Sequence, residues 1–124
     1  MASDVPAGNP PGVGDDQDSD QLGPFQALWD AWDAAHDDLM AKPLSHYRLA
    51  TGLQFDELEE HLARGDRAAA AREAVDIISL ALNTLRWMGY RPEDVAEFAR
   101  TRAQVRMQGR AHEILDKYER RYGL

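Results

Sequence analysis

The chain has 124 residues, a formal net charge of −8 at pH 7 and no cysteine. That length allows one domain with a single modest core, and the lack of cysteine excludes disulfides, thiolate metal ligands and cysteine nucleophiles. The acidic charge disfavours a general nucleic-acid-binding protein, and the lack of an apolar run of about 18 residues or a hydrophobic N-terminal region indicates a cytoplasmic protein without a membrane span.

Residues 1–23 form an acidic segment of unusual composition. They contain five aspartates, no lysine or arginine, three prolines and few large apolar side chains. Such a segment cannot bury enough apolar surface to offset the entropy lost on ordering. We therefore predict a disordered acidic tail over residues 1–23 and an all-α domain over residues 24–124.

Apolar residues recur at helical spacing along the rest of the chain. A first helix is predicted from Pro24, which suits a first helical turn, to Pro43, which ends it. Residues 43–52 stay open between a loop and an additional helical turn. A second helix is predicted over about residues 53–64. Its apolar stripe consists of Phe55, Leu58 and Leu62.

The third helix is the longest apolar segment. Gly65 is expected to end the second helix and Asp66 to cap the third, which is predicted over residues 67–88. Its broad apolar face is expected to be buried and consists of Ala70, Ala74, Ile77, Ile78, Ala81, Leu82 and Leu85. Pro92 is predicted to begin a fourth helix. A break near Gly109, before a final amphipathic segment, is compatible with the pattern. No strand-like alternation competes, so we predict an all-α helical bundle of four main helices around an antiparallel helix hairpin.

Asp76 is the one charge in the apolar run 74–82. A helix that buries this run would draw the carboxylate into the core, where an unpaired charge costs several kcal/mol. Glu73 lies one turn earlier, and Glu57 and Glu60 form a second pair on the preceding helix. The two pairs lie at similar distances from the intervening turn, so four carboxylates can converge if the helices pack antiparallel.

Four close carboxylates repel one another unless a cation neutralises them, and oxygen ligands suit Mg²⁺ or Mn²⁺. The sequence therefore indicates a divalent-cation site. The alternative is that these pairs are solvated helix faces or a core ion pair, because the same spacing recurs in Asp30/Asp33, Asp94/Glu97 and Glu113/Asp116. A di-iron bundle is disfavoured, since it typically uses Glu-x-x-His pairs. No histidine of the chain has a glutamate three residues before it: His36, His46, His61 and His112.

The sequence DELEE at residues 56–60, followed after twelve residues by EAVD at 73–76, carries a family resemblance. It resembles the Glu-Glu-x-x-Glu … Glu-x-x-Asp signature of MazG-like all-α NTP pyrophosphohydrolases, over about residues 25–110. Asp56 departs from the glutamate at the start of that signature.

Further positions add to the resemblance. Asn83 falls where many members carry an asparagine, and Arg102 and Arg106 fall near a downstream Lys/Arg pair. Arg102 stands in place of the family's lysine, which keeps the charge but not the ammonium geometry.

The resemblance implies hydrolysis of a (d)NTP to the (d)NMP and pyrophosphate. Mg²⁺, or Mn²⁺, would activate a water that attacks the α-phosphorus. Glu60 and Glu73 are the catalytic candidates, and Glu60 would orient or deprotonate the water. Arg102 and Arg106 would neutralise the departing pyrophosphate, and Asn83 would bind the sugar or a phosphate. The implied metal ligands are Glu57, Glu60, Glu73 and Asp76.

The aromatic residues of the first helix are the candidate base pocket, in which Trp29 or Trp32 would stack on the base near His36. The alternative is that the tryptophans belong to the core or to a subunit interface. The family also implies a homodimer or homotetramer, in which a neighbouring subunit helps to complete the site. The alternative function is a non-catalytic helical interaction or regulatory protein that retains the fold.

Overall fold

The computed structural model describes residues 21–124, apart from the side chains of Arg106 and Met107. These residues are helical and contain no strand, which confirms the predicted all-α class. In chain order the α-helices are α1 (Gln26–Ala31), α2 (His36–Ala41), α3 (Leu44–Ala63), α4 (Arg67–Trp87), α5 (Pro92–Thr101) and α6 (Ala111–Tyr122). None of the helices in this part of the chain combines the length and apolar character needed to cross a membrane.

Most of the predicted tail, residues 1–20, lies outside the described residues. Leu22 is described and packs against the core. Its backbone N–H donates to Oε1 of Gln26 at 3.2 Å. The fold therefore includes residues before the predicted boundary at Pro24.

The first helix is broken at Trp32, so the prediction of one continuous helix to Pro43 is wrong. The Trp32 N–H donates to the Trp29 carbonyl at 3.2 Å, and a short 3-10 turn over Asp33–Ala35 leads into α2. The guanidinium of Arg86 on α4 donates to the same carbonyl at 2.7 Å. A side chain inserted into the hydrogen-bond ladder is an established cause of such breaks.

Apart from Pro43, residues 43–52, for which the sequence allowed either a loop or an additional helical turn, form the start of α3. α3 begins directly after Pro43, so residues 44–52 are helical and Gly52 lies inside the helix. The turn between α3 and α4 agrees with the prediction. Gly65 has a φ of +77°, and Oδ1 of Asp66 accepts from the backbone N–H of Ala69 at 3.0 Å.

Contacts at both ends of α3 and α4 fix how the two helices pack. Near the turn, Nε2 of His61 lies 3.1 Å from Oε2 of Glu73. At the other end, the Tyr47 and Trp87 rings lie with centroids 6.2 Å apart. The two contacts lie fourteen residues apart on α3, from Tyr47 to His61, and also fourteen residues apart on α4, from Glu73 to Trp87. The helices therefore run in opposite directions and keep one register along their length.

α4 buries a face that is more polar than the sequence predicts. Ala70 and Leu82 are buried as expected, whereas Ala74, Ile78 and Ala81 are exposed in the single chain. The second helix behaves similarly, since Phe55 and Leu62 are exposed and Leu58 is half-buried. The residues that α4 does bury include Ser79, Asn83 and Arg86.

The apolar core is small and joins α1, α4 and α5. It contains Trp29, Leu82 and Val95, with partly buried residues packed around them: Leu22, Leu28, Leu85 and Tyr90. α5 begins at Pro92, as predicted, and Oδ2 of Asp94 accepts from the backbone N–H of Arg91 at 3.0 Å. A π-helical turn over Arg102–Met107 and Gly109 at φ +73° confirm a break before α6.

Candidate metal and substrate site

Asp76 and Glu73 lie beside each other on α4. Asp76 is exposed, so the expectation that the apolar run draws it into the core is wrong. At about 100° per residue, Asp76 shares a stripe with Asn83, while Val75 and Ile78 point elsewhere. Partial burial of its carboxyl nevertheless raises the pKa of Asp76 above its ordinary value. A side-chain hydrogen bond with Glu73 and the negative charge of Glu73 raise this pKa further.

The register of α3 and α4 places the other two carboxylates at the same height. Because His61 meets Glu73, residues 60 and 57 of α3 lie level with residues 74 and 77 of α4. Along the helix axis, Glu60 thus lies about 1.5 Å from the level of Glu73, and Glu57 lies about 1.5 Å from the level of Asp76. Both α3 carboxylates are exposed.

His61 is the side chain that actually crosses between the helices at this level. Its Nε2–H donates to Oε2 of Glu73 at 3.1 Å, and its Nδ1 accepts from the Arg64 guanidinium at 3.3 Å. Glu73 is well covered, with a side chain that is 16% exposed. His61 lies four residues after Glu57 and so on the same side of α3, a spacing that differs by one residue from Glu-x-x-His.

In the described part of the chain, each of the other acidic pairs has an arginine partner, which the Glu73/Asp76 pair lacks. Asp33 pairs with Arg86 at 2.9 Å, Glu97 with Arg100 at 2.8 Å and Glu113 with Arg110 at 3.5 Å. Among the described residues, neither Asp76, Glu57 nor Glu60 forms an ion pair with lysine or arginine. The close polar neighbour of Asp76 is instead another carboxyl group, which is the arrangement that a cation relieves.

The carboxylate oxygens of this region are suitable ligands for a hard divalent cation. Among the described residues, however, Glu73 and Asp76 form a pair that the side chains of Glu57 and Glu60 do not join. Carboxylate oxygens are the ligands that Mg²⁺ prefers, and two carboxyls are held together with two more at their level. Across residues 21–124 no group of three or more His, Asp or Glu side chains is close enough to hold a metal ion. Glu73 instead contacts His61.

Asn83 and Arg86 continue the polar stripe of α4 into the interior. Asn83 is 2% exposed, and its Oδ1 is buried without a hydrogen-bond partner in the described part of the chain. On α3, Oε1 of Gln54 is likewise buried and unpartnered there. Asn83 is thus covered in the single chain, seven residues from Asp76 along one helical stripe.

Arg86 ties the broken first helix to α4, and sequence reasoning did not single it out. Its side chain is 5% exposed and pairs with Asp33. It also donates to Nδ1 of His36 at 3.2 Å, and its guanidinium carbon lies 4.4 Å from the Trp29 ring centroid. No motif marks an arginine inside an amphipathic helix as buried, because the same residue is ordinarily solvent-exposed.

The candidate base pocket lies away from the carboxylates within one chain. Trp29 is 6% exposed and belongs to the core, as the alternative interpretation held. Trp32 is exposed and lines a surface cavity of about 490 Å³ with Leu39, Lys42 and His46. His36 lies beside Arg86. Residue 86 is ten positions from Asp76 along α4, or about 15 Å.

α5 brings Arg102 back towards the carboxylate end. Val95 packs against Leu82, and Ala99 lines one groove with Ile78, so α5 runs antiparallel to α4. Continuing that register places Arg102, which follows α5 directly, near the level of Asp76. Arg102 is exposed. Arg106 lies in the following π-helical turn, and its side chain is outside the described part.

Comparison of the chain with models of protein families, with curated proteins and with solved structures finds no match.

Proposed function

We propose that this protein is a Mg²⁺-dependent nucleoside triphosphate pyrophosphohydrolase that converts a (d)NTP and water to the (d)NMP and pyrophosphate. The observation that carries the proposal is the Glu73/Asp76 pair. Two carboxyl groups are held together on α4, level with Glu57 and Glu60 on α3, and lysine or arginine neutralises none of Glu57, Glu60 and Asp76 in the described residues.

In this proposal the four carboxylates hold Mg²⁺, which supplies charge neutralisation at the phosphate oxygens and lowers the pKa of water. Glu60 orients the attacking water and accepts its proton. The water oxygen bonds to the α-phosphorus, and the bond to the bridging α–β oxygen breaks as pyrophosphate leaves. Arg102, and Arg106 after it, neutralise charge on the leaving group.

Glu73 must release His61 for this site to assemble. The His61–Glu73 hydrogen bond joins two half-buried side chains and is of a kind with a net contribution of about 0.5–3 kcal/mol. A divalent cation with several carboxylate ligands offers Glu73 a stronger partner.

The proposed active form is a homodimer or homotetramer. Exposed apolar residues on α4 leave a surface for a second copy, including Val75 and Ile78. Within one chain Trp32 and His36 lie at the level of Arg86 rather than at Asp76. We therefore assign the base to the Trp32 cavity of a neighbouring copy, with the phosphates at Asp76.

The test is pyrophosphate release from a panel of canonical and modified (d)NTPs with Mg²⁺. Glu73→Gln and Asp76→Asn should abolish release while the helical circular dichroism spectrum is retained. Asp116→Asn is the matched control, since Glu113 and Asp116 repeat the Glu-x-x-Asp spacing in α6 without packed neighbours. Full activity of Asp76→Asn would show that the site is misassigned.

A non-catalytic interaction protein with this fold is the second candidate. The observation that favours it is the existing His61–Glu73 contact, which occupies one carboxylate without a metal. It predicts that the wild-type protein releases pyrophosphate from no nucleotide of the panel.

A further inference from the structure

Three buried side-chain atoms have no hydrogen-bond partner in the part of the chain that the structure describes. They are Oε1 of Gln54, Oδ1 of Asn83 and Nε of Arg86. Asn83 is 2% exposed and Arg86 4%. A buried polar group without a partner destabilises a fold, so nearly all such groups in folded proteins bond to protein or to an ordered water. These three atoms therefore need a common explanation if they lie together.

Gln54 points from α3 towards α4. It lies on one helical stripe with Tyr47 and His61, seven residues from each, and both of those side chains contact α4. The register of the two helices puts Gln54 level with residue 80 of α4. Asn83 is three residues beyond that level, or about 4.5 Å along the axis. The two buried amide oxygens are thus brought to one region between the helices.

Asn83 also adjoins Arg86. The two residues are three apart on α4 and so are neighbours on its surface. Helical side chains lean towards the helix N-terminus, which lays the stem of Arg86 over the turn that contains Asn83. Both terminal nitrogens of Arg86 are already used, since Nη2 donates to the Trp29 carbonyl and Nη1 pairs with Asp33. Nε–H, the donor nearest the stem, is the one left over.

We infer that one water molecule is bound between α3 and α4 by Gln54, Asn83 and Arg86. The three atoms are two acceptors and one donor. A water donates two hydrogen bonds and accepts a third, and three bonds are usual for a buried water. A hydroxyl group has only one proton to donate, and a metal cation cannot accept from Nε–H and is repelled by the guanidinium. The number and direction of the bonds therefore select water.

The bound water links α3 to α4 at the middle of their contact. Through Arg86 the same hydrogen-bond network reaches the Trp29 carbonyl at the break after α1. Asn83 thereby has a ligand inside the fold, so the inference is independent of the proposed hydrolysis.

A high-resolution crystal structure of the metal-free wild-type protein tests the site directly. It should show a water oxygen about 2.7–3.2 Å from each of the three atoms. In solution, nuclear Overhauser effects should connect this long-lived water to the side-chain amide protons of Gln54. Asn83→Leu, which is close in size, should abolish that effect. Gln104→Met changes an exposed glutamine and is the matched control, which should retain it.

Two results would overturn the inference. One is a crystal structure in which Oδ1 of Asn83 or Oε1 of Gln54 accepts directly from a protein donor, with no water between the helices. The other is an equal water signal at the Gln54 amide in Asn83→Leu and in the wild type. Neither measurement uses nucleotide or metal, so both are separate from the pyrophosphate assay.

Discussion

At the scale of single residues, Asp76 combines exposure to solvent with an unfavourable electrostatic position. Its carboxyl lies against Glu73 on the same helix, and its pKa is raised by partial burial and by that neighbour. A carboxylate placed beside another one lowers the stability of the unliganded fold at neutral pH. Positions of this kind mark candidate functional sites, because binding a cation converts the repulsion into attraction.

Asp76→Asn should therefore stabilise the metal-free protein at pH 7. The raised pKa means that the folded state binds the Asp76 proton more tightly than the unfolded state does. The wild-type protein consequently gains stability as the pH falls through this pKa. The expected gain in the variant is about 0.2–0.5 kcal/mol at pH 7, as for like charges one helical turn apart. It should vanish below the ordinary aspartate range near pH 3.9.

Urea denaturation in the presence of a chelator at several pH values measures this difference. Asp116→Asn is the control and should show no comparable gain, because the acidic neighbour of Asp116, Glu113, is already paired with Arg110. A destabilised Asp76→Asn protein at pH 7 would mean that the carboxylate makes a favourable contact in the fold.

Arg86 of α4 links α1, the 3-10 turn after it and α2 through one side chain. One guanidinium contacts the Trp29 carbonyl, Asp33 and Nδ1 of His36, and it stacks on the Trp29 ring. Arg86→Met removes the buried hydrogen bond to the Trp29 carbonyl and should cost about 1.5–3 kcal/mol of unfolding free energy, the range for a hydrogen bond from a charged donor. Arg100→Met removes an exposed ion pair with Glu97 and should cost less than about 1 kcal/mol. Equal losses in chemical denaturation would contradict the anchoring role.

At the scale of elements, the α3–α4 pair is the part of the fold that could be predicted in most detail from the sequence. Gly65 and Asp66 mark the turn by chemistry that depends on neighbouring residues alone, and the structure has both as predicted. The level of Glu57 and Glu60 relative to Glu73 follows from counting residues from that turn. The start of α3 was undetermined, because Gly52 is compatible with either a helix end or a helix interior.

The two glycines make opposite predictions that check these boundaries. Gly52 lies inside α3, and a Cβ there would meet nothing within 4 Å. Gly52→Ala should thus raise the free energy of unfolding by about 0.5–1 kcal/mol. Gly65 has a φ of +77°, so Gly65→Ala should lower it by about 1–2 kcal/mol. Thermal unfolding of the two variants measures both, and a stabilised Gly65→Ala protein would contradict the assigned turn.

The broken first helix and the polar face of α4 could not be predicted from local patterns. The break at Trp32 coincides with a side chain from a helix that lies more than fifty residues later, Arg86. Likewise, apolar spacing on α4 indicates a face to bury but not which partner covers it. In the single chain Asn83 is buried, whereas Ile78 and Ala81 are exposed.

At the scale of the whole molecule, the main feature is the apolar surface that the single chain leaves exposed. Exposed residues occur on helices from one end of the described chain to the other, among them Leu53, Ile78, Phe98 and Leu115. Exposed apolar surface of this extent marks association sites in soluble proteins. The proposed assembly uses the outer side of α4, where Val75 and Ile78 are exposed.

We predict that the protein is a concentration-dependent oligomer and that Ile78→Glu shifts it towards the monomer. A charge at this position must be desolvated on association, which should weaken the assembly by about tenfold or more. Light scattering after size exclusion measures the mass at several loading concentrations. Glu59→Gln, an exposed change on α3, should leave the mass unaltered, and a monomeric wild-type protein would refute the shared assembly.

The most direct test of the account is the binding of Mn²⁺ to the protein, followed by electron paramagnetic resonance of the free ion during titration. The proposed site predicts saturable binding by the wild type and by Asp116→Asn, and loss of about tenfold or more in affinity for Asp76→Asn and Glu73→Gln. Binding that is absent from the wild type, or equal in Asp76→Asn and Asp116→Asn, would contradict a cation site at Glu73 and Asp76.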